Sequence, residues 1–175
     1  MGLAFFAFLR FDEVVHLKAG NVKIHNTHVE ILIEKAKNDQ LRQGNVVVIA
    51  KRPQRCPVAV LQLYLQLSKA GLQPNKFLFR RIVLKQGRRM LHDKQEVMKY
   101  ATVKDLVKNK ARALGLDPSV YGTHSLRSGG CTSAANAGVS DRLFQRHGRW
   151  ASVAAKDGYV SDSLKSRLSV TKSMC

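Results

Sequence analysis

The sequence predicts an α+β domain, mostly α-helical, with one small antiparallel β-sheet near residues 21–50. Three observations predict it. Val29, Ile31 and Ile33 alternate with Glu30 and Glu34, the period-two pattern of a half-buried strand. A second β-rich run, Val46 to Ala50, comes after a polar, turn-rich stretch from Asn38 to Gly44, so residues 28–50 form a hairpin with a long loop. The remainder is dominated by apolar residues at helical spacing, punctuated by Pro and Gly.

Taken in order, residues 3–18 read as one helix, with Phe5, Phe8, Leu9, Val14, Val15 and Leu17 at helical spacing. No capping residue precedes it, which suggests that the chain starts inside a helix and that upstream sequence is missing. Asn21 to Ile24 is a short extended piece ahead of the hairpin. Pro57 opens a helix, a favoured first-turn use of proline, and Gly71 closes it after Leu61, Leu65 and Leu67. Residues 74–98 carry the weakest pattern: Phe77 to Leu84 is apolar and basic, and Gln86 to Arg89 is a polar, basic turn. Thr102 is expected to cap a helix over 103–114, with Lys104, Lys108, Lys110 and Arg112 outward, and Pro118 and Gly122 punctuate the chain beyond it. Helices near 123–137, 140–147, 151–157 and 162–172 complete a single domain over 1–175.

Composition narrows the function classes. Lys and Arg total 30 against 12 Asp and Glu, a formal net charge of +18. Such a charge repels itself in a compact fold and points to a polyanion as partner, nucleic acid first. The three cysteines, Cys56, Cys131 and Cys175, form no CxxC pair, so neither a disulfide framework nor a cysteine zinc site is expected, and a reducing compartment fits. The apolar run Met1–Leu9 is too short to span a bilayer and lacks signal-peptide features. Phe6 stands where a myristoylation signal needs Ser or Thr. A secreted or membrane protein is therefore not expected; the location is nuclear if the host is eukaryotic, otherwise cytoplasm or nucleoid.

The chemistry concentrates between Thr123 and Val160. His124 and Arg127 sit at i and i+3 in the first turn of a helix, where free backbone N–H groups and the helix dipole favour an anion. The planar fork of Arg127 suits a phosphate better than a lysine would. Trp150 lies 23 residues after Arg127, and Tyr159 nine after Trp150.

This H-x-x-R…W…Y order resembles the tyrosine recombinase (phage integrase) family. The resemblance covers roughly residues 3–160. It implies the catalytic-domain fold of that family and a second arginine and a lysine upstream. Arg10, in F-L-R-F-D-E-V-V-H-L, resembles the first, with Glu13 as the acidic residue that supports it. Lys37, in I-L-I-E-K-A-K-N-D, stands where the family places its catalytic lysine; Lys35, two residues away and on the same strand face, remains its rival. The segments F-L-R-F-D-E and N-A-G-V-S-D-R-L-F-Q-R-H-G-R-W look like recombinases of eukaryotic mobile elements, the tyrosine-recombinase retrotransposons and Cryptons.

The resemblance implies site-specific DNA recombination or integration. The phosphodiester is cleaved and rejoined through a 3′-phosphotyrosine, with no cofactor and no metal. Tyr159 is the implied nucleophile, Arg10 and Arg127 clamp the non-bridging oxygens, Trp150 donates its indole N–H to the phosphate, Lys37 protonates the leaving 5′ oxygen and His124 assists proton removal from Tyr159. Lys35, Arg42, Arg146 and Arg149 are expected to contact DNA. The partner is double-stranded DNA, bound by a homo-oligomer, a tetramer in this family. The N-terminal core-binding domain usual in active members is expected to be absent. His147 is read as a decoy beside Trp150.

Each residue alone has a plainer reading: a half-buried tyrosine, a core tryptophan, a solvated helix arginine, a capping histidine. Only their joint order carries the inference. Three other functions remain: type IB topoisomerase-like nicking and rejoining, a non-catalytic basic DNA-binding relic of a mobile element, and, last, RNA binding. In the tail, Leu164, Leu168 and Met174 could dock on a neighbouring protomer or pack on the chain's own core.

Overall fold

The computed structural model describes residues 1–34 and 44–174. A three-stranded antiparallel sheet, order β1-β2-β3, is built from β1 (Val22–Ile24), β2 (His28–Ile33) and β3 (Asn45–Ala50). Its register pairs Val22 with Ile31, Val29 with Ile49 and Ile31 with Val47. The alternation sends Val29, Ile31, Ile33, Val47 and Ile49 into the core and leaves Val46 and Val48 exposed. Helix α1 (Gly2–Phe6) and helix α3 (Pro57–Ser68) cover the inner face, where Leu3, Ala7, Leu9, Val58, Leu61 and Leu78 complete an aliphatic cluster. The sheet expected near 21–50 is present; the expected turn from Asn38 lies outside the described residues except for Gly44.

The single helix expected over 3–18 is instead two helices, α1 and α2 (Phe11–Val15). Between them Phe8 takes a left-handed φ of 49° and Arg10 is extended, at φ −73° and ψ 159°. Glu13 causes part of this. Its carboxylate accepts the backbone N–H of Arg10 at 2.7 Å, so Arg10 becomes an N-cap with Glu at the third helical position. Helical periodicity continues through the break, which is why apolar spacing alone concealed it.

Pro57 occupies the first turn of α3 as expected, but Lys69, at φ 54°, ends the helix rather than Gly71. The weakly patterned stretch folds into a second hairpin, β4 (Ile82–Lys85) and β5 (Arg88–Leu91). Its two turn residues, Gln86 and Gly87, both have positive φ, the requirement of the two-residue turn whose twist matches the strands. Helix α4 (Tyr100–Ala113) starts after Lys99, so Thr102 lies inside it rather than capping it.

Helices α5 (Ser125–Asn136), α6 (Asp141–Gly148), α7 (Val153–Asp157) and α8 (Leu164–Lys172) lie close to expectation. Helix α1 packs so tightly on α5 that a Cβ on Gly130 would lie 2.0 Å from the Phe5 carbonyl oxygen. The side chain of Asn136 holds the start of α8, bonding the Ser161 carbonyl, the Ser163 N–H and the Ser166 hydroxyl. Leu164, Leu168 and Met174 are exposed, so the tail does not pack them on the chain's own core.

Candidate active site

The break between α1 and α2 positions the site. It presents the carbonyls of Phe6, Ala7 and Phe8 to side chains arriving from 119 to 142 residues downstream in sequence. Arg127, on α5, is fully buried. Its guanidinium donates to the carbonyls of Phe8 and of Gly148, the latter at 3.0 Å. It also lies against two aromatic rings, 4.9 Å from the Trp150 ring centre and 4.8 Å from that of Tyr159. Trp150 and Tyr159 in turn sit 5.7 Å apart, tilted by 43°. Phe8, Phe144 and Cys131 fill in behind the indole.

Glu13 is the anionic hub. Its side chain is only 3% exposed and pairs with two arginines: Arg10 at 3.2 Å and Arg149 at 2.8 Å. Arg149 also donates to the carbonyls of Ala7, Phe8 and His147. Arg10, Arg127 and Arg149 are close enough to act on one another, so three guanidinium cations meet one carboxylate and two positive charges are left over. Burial, then repulsion from Arg10 and Arg149, pulls the Arg127 pKa below its usual value. An arginine still stays protonated, so losing a proton does not remove this surplus charge. Among the described residues, Arg127 Nε, Arg149 Nε and Trp150 Nε1 are buried donors without a hydrogen-bond partner. Such donors are costly unless a ligand accepts from them.

The structure thus brings together Arg10, Glu13, Arg127, Trp150 and Tyr159. His124 stands exposed at the N-cap of α5 and makes no capping hydrogen bond through its side chain. Arg146 is exposed on α6. Lys35, Lys37 and Arg42 lie outside the described residues. Arg149 departs from expectation: its side chain is 4% exposed and its two terminal nitrogens bond Glu13 and three carbonyls, so it braces the site from inside rather than offering itself as a surface DNA contact.

His147 is not a bystander either. Its Nε2–H donates to the Phe6 carbonyl at 2.9 Å, its ring packs edge-on to Phe8, and burial lowers its pKa below 6.5. In the sequence Trp150 fills the position three residues beyond His147, which makes His147 look like a decoy and leaves Arg149 as an expected DNA contact. Arg149 takes a left-handed φ of 59° and ends α6 there, a backbone detail that the residue spacing does not show. Burial pushes the Cys131 thiol up to about 11, which makes it a packing residue at neutral pH.

A profile of the Phage integrase family matches residues 1–165. The chain belongs to that family. A relative described as an integrase/recombinase xerD homolog, from Selenomonas ruminantium, is 29% identical over 162 residues, covering 90% of this chain and 45% of the relative. The chain therefore spans less than half the length of that curated relative. Among solved structures, XerH site-specific recombinase in a post-cleavage complex with palindromic difH substrate superposes with a TM-score of 0.71 at 19% identity, over 99% of this chain and 43% of that one. XerA recombinase gives the same TM-score at 20% identity, over 99% and 55%. These two establish the family fold around the site: mostly helical, with small antiparallel sheets.

Proposed function

We propose that this member of the phage integrase family is the catalytic part of a DNA strand-transfer enzyme that recombines or integrates DNA through a covalent tyrosine intermediate. The observation that carries the reading is the stack of the buried Arg127 guanidinium against the rings of Trp150 and Tyr159, with Arg10 alongside. A phosphodiester placed there would accept from the free Nε donors of Arg127 and Trp150.

The Tyr159 hydroxyl attacks phosphorus, the bond to the 5′ oxygen breaks, and the strand is held as a 3′-phosphotyrosine. The phenolic proton passes to His124, and the 5′ oxygen takes a proton from Lys37, or from its rival Lys35. Arg10 and Arg127 stabilise the charge that grows on the non-bridging oxygens, worth roughly 3–4 kcal/mol per strong donor. The reverse attack by a 5′ hydroxyl rejoins DNA, so bond energy is conserved without a nucleotide cofactor. Arg10 is held ready by Glu13, and Glu13 by Arg149.

Double-stranded DNA is the partner this reading assigns, on the strength of the +18 charge and of the exposed Arg146. Exchange between two duplexes calls for four active sites, hence a homotetramer on DNA. The segments F-L-R-F-D-E and N-A-G-V-S-D-R-L-F-Q-R-H-G-R-W favour a eukaryotic mobile element as the source, with the nucleus as the place of action. Incubation with a suicide DNA substrate, nicked near the scissile phosphate, tests the reading. A covalent protein–DNA adduct should form with the wild type and vanish in Tyr159→Phe; an adduct of undiminished yield in that variant refutes the nucleophile.

A further inference from the structure

Strand β2 has two ends of different chemistry. Beyond Ile33 the chain runs on to Lys35 and Lys37; at its start it turns back from β1 through H-N-T-H-V-E, residues 25–30. We propose that His25, His28 and Glu30, at this β1–β2 turn, form a binding site for a divalent transition-metal ion of the zinc class.

Three features support it. First, the ligand atoms converge: one from each residue lies within 4.8 Å of the others. Bonds of about 2.1 Å in a tetrahedral shell put neighbouring ligands roughly 3.4 Å apart. His25 Nε2 is 3.3 Å from one Glu30 oxygen, and His28 Nε2 is 3.7 Å from the other. The two imidazoles stack with centres 4.4 Å apart and planes 15° from parallel, so a modest swing of one ring lets both nitrogens face a common ion.

Second, the backbone is already in place. The His25 N–H donates to the His28 carbonyl at 2.9 Å, and Thr27 accepts from the Lys51 N–H at 2.8 Å, so the turn is tied both to itself and to the chain after β3. His28 and Glu30, two apart on one strand, project from the same face. Little ordering is left for the metal to impose.

Third, an outer partner is present. His28 Nδ1 lies 2.9 Å from the Thr27 hydroxyl. With Nδ1–H donating to Thr27, the lone pair falls on Nε2, the nitrogen that faces Glu30. Metal-binding histidines characteristically use their second nitrogen in this way.

Two features limit the affinity. Lys23 sits directly across from Glu30 in the β1–β2 register, and the whole chain is strongly cationic. Lys23 is exposed, however, and its flexible stem can swing its charge into solvent. Three protein ligands in an exposed turn, with solvent completing the shell, make a structural clamp. The ion would be a staple of the sheet rather than a reagent: His28 and Ile33 are five residues apart, so the site lies about 17 Å along β2 from the end that leads to the lysines. The cysteine pattern gave no hint of it, because the ligands are two histidines and a carboxylate.

Calorimetric titration of the full chain, first stripped with EDTA, with zinc alone tests this. One zinc per chain should bind, and its saturation should raise the thermal midpoint. His25→Gln and His28→Gln should each weaken binding by more than about tenfold and abolish the thermal shift, and Thr27→Val should weaken it by about tenfold. The zinc-free midpoints of these surface variants should match the wild type. If either histidine variant is less stable without zinc, Glu30→Gln decides, with the same loss of binding expected. No saturable uptake, or uptake undiminished in the variants, would overturn the site whether or not the chain cleaves DNA.

Discussion

The two buried clusters of this molecule are built on opposite principles. The cluster beneath the sheet is aliphatic: Val29, Ile31, Val47, Val58 and Leu78 are each almost completely buried with no charge among them. The cluster behind α5 is small and aromatic, Phe8, Phe144 and Trp150, and is wrapped around Arg127, with Arg149 and Glu13 beside it. Aliphatic burial stabilises the fold directly. Buried guanidinium groups cost desolvation that carbonyl contacts only partly offset. A chain that only had to fold would not place three arginines round one carboxylate. The difference teaches that stability resides mainly in the first cluster, while the second carries surplus buried positive charge, which the proposed function assigns to a phosphate.

Substitutions that separate the two roles sharpen the comparison. Ile31→Ala should have the largest effect on folding, about 2–5 kcal/mol, from lost burial and the cavity left behind. Chemical denaturation measures it, and the surviving folded fraction should still form adduct at the wild-type rate. Arg127→Met should do the reverse. A side chain of similar volume keeps the rings packed, so the unfolding midpoint should hold or rise, while adduct formation falls about 10²- to 10³-fold. A collapse of the fold with Arg127→Met would make the arginine a structural residue and dissolve the distinction.

A smaller effect is expected at His147. Burial lowers its pKa, so the folded state resists the proton that the unfolded state accepts below 6.5. Stability is therefore fully present above that value and declines as the pH falls through it. The denaturation midpoint should drop between about pH 7.5 and about pH 5.5, and His147→Gln should flatten the decline. An unchanged slope in that variant would show that groups other than His147 cause the decline.

Legibility in the sequence divided along the same line. The alternation of Val29, Ile31 and Ile33 located the sheet because one side of it faces the aliphatic core. Pro57 placed the start of α3 because its ring presets the first-turn conformation. The H-x-x-R…W…Y spacing located Arg127, Trp150 and Tyr159 because a shared ancestry preserves order where geometry is long-range. What escaped was set by backbone detail. The break at Phe8 falls within an unbroken helical period, and it decides where Arg10 and three carbonyls point. Arg149 ends α6 in a left-handed conformation without being a glycine and pairs with Glu13, 136 residues upstream, neither of which composition announces. The second hairpin was hidden because its outward residues, Ile82, Leu84 and Met90, are apolar and so erase the usual alternation.

If the second cluster binds a phosphate, the unpartnered indole N–H of Trp150 faces it. Trp150 is the sole tryptophan, so a uniformly ¹⁵N-labelled chain gives a single indole resonance. Titration with duplex DNA should shift that resonance and slow its hydrogen exchange, and both changes should be lost in Arg127→Met. If DNA binds to saturation while the indole signal stays where it was, the donors of Arg127 and Trp150 do not meet a phosphate and the second cluster is not the anion site.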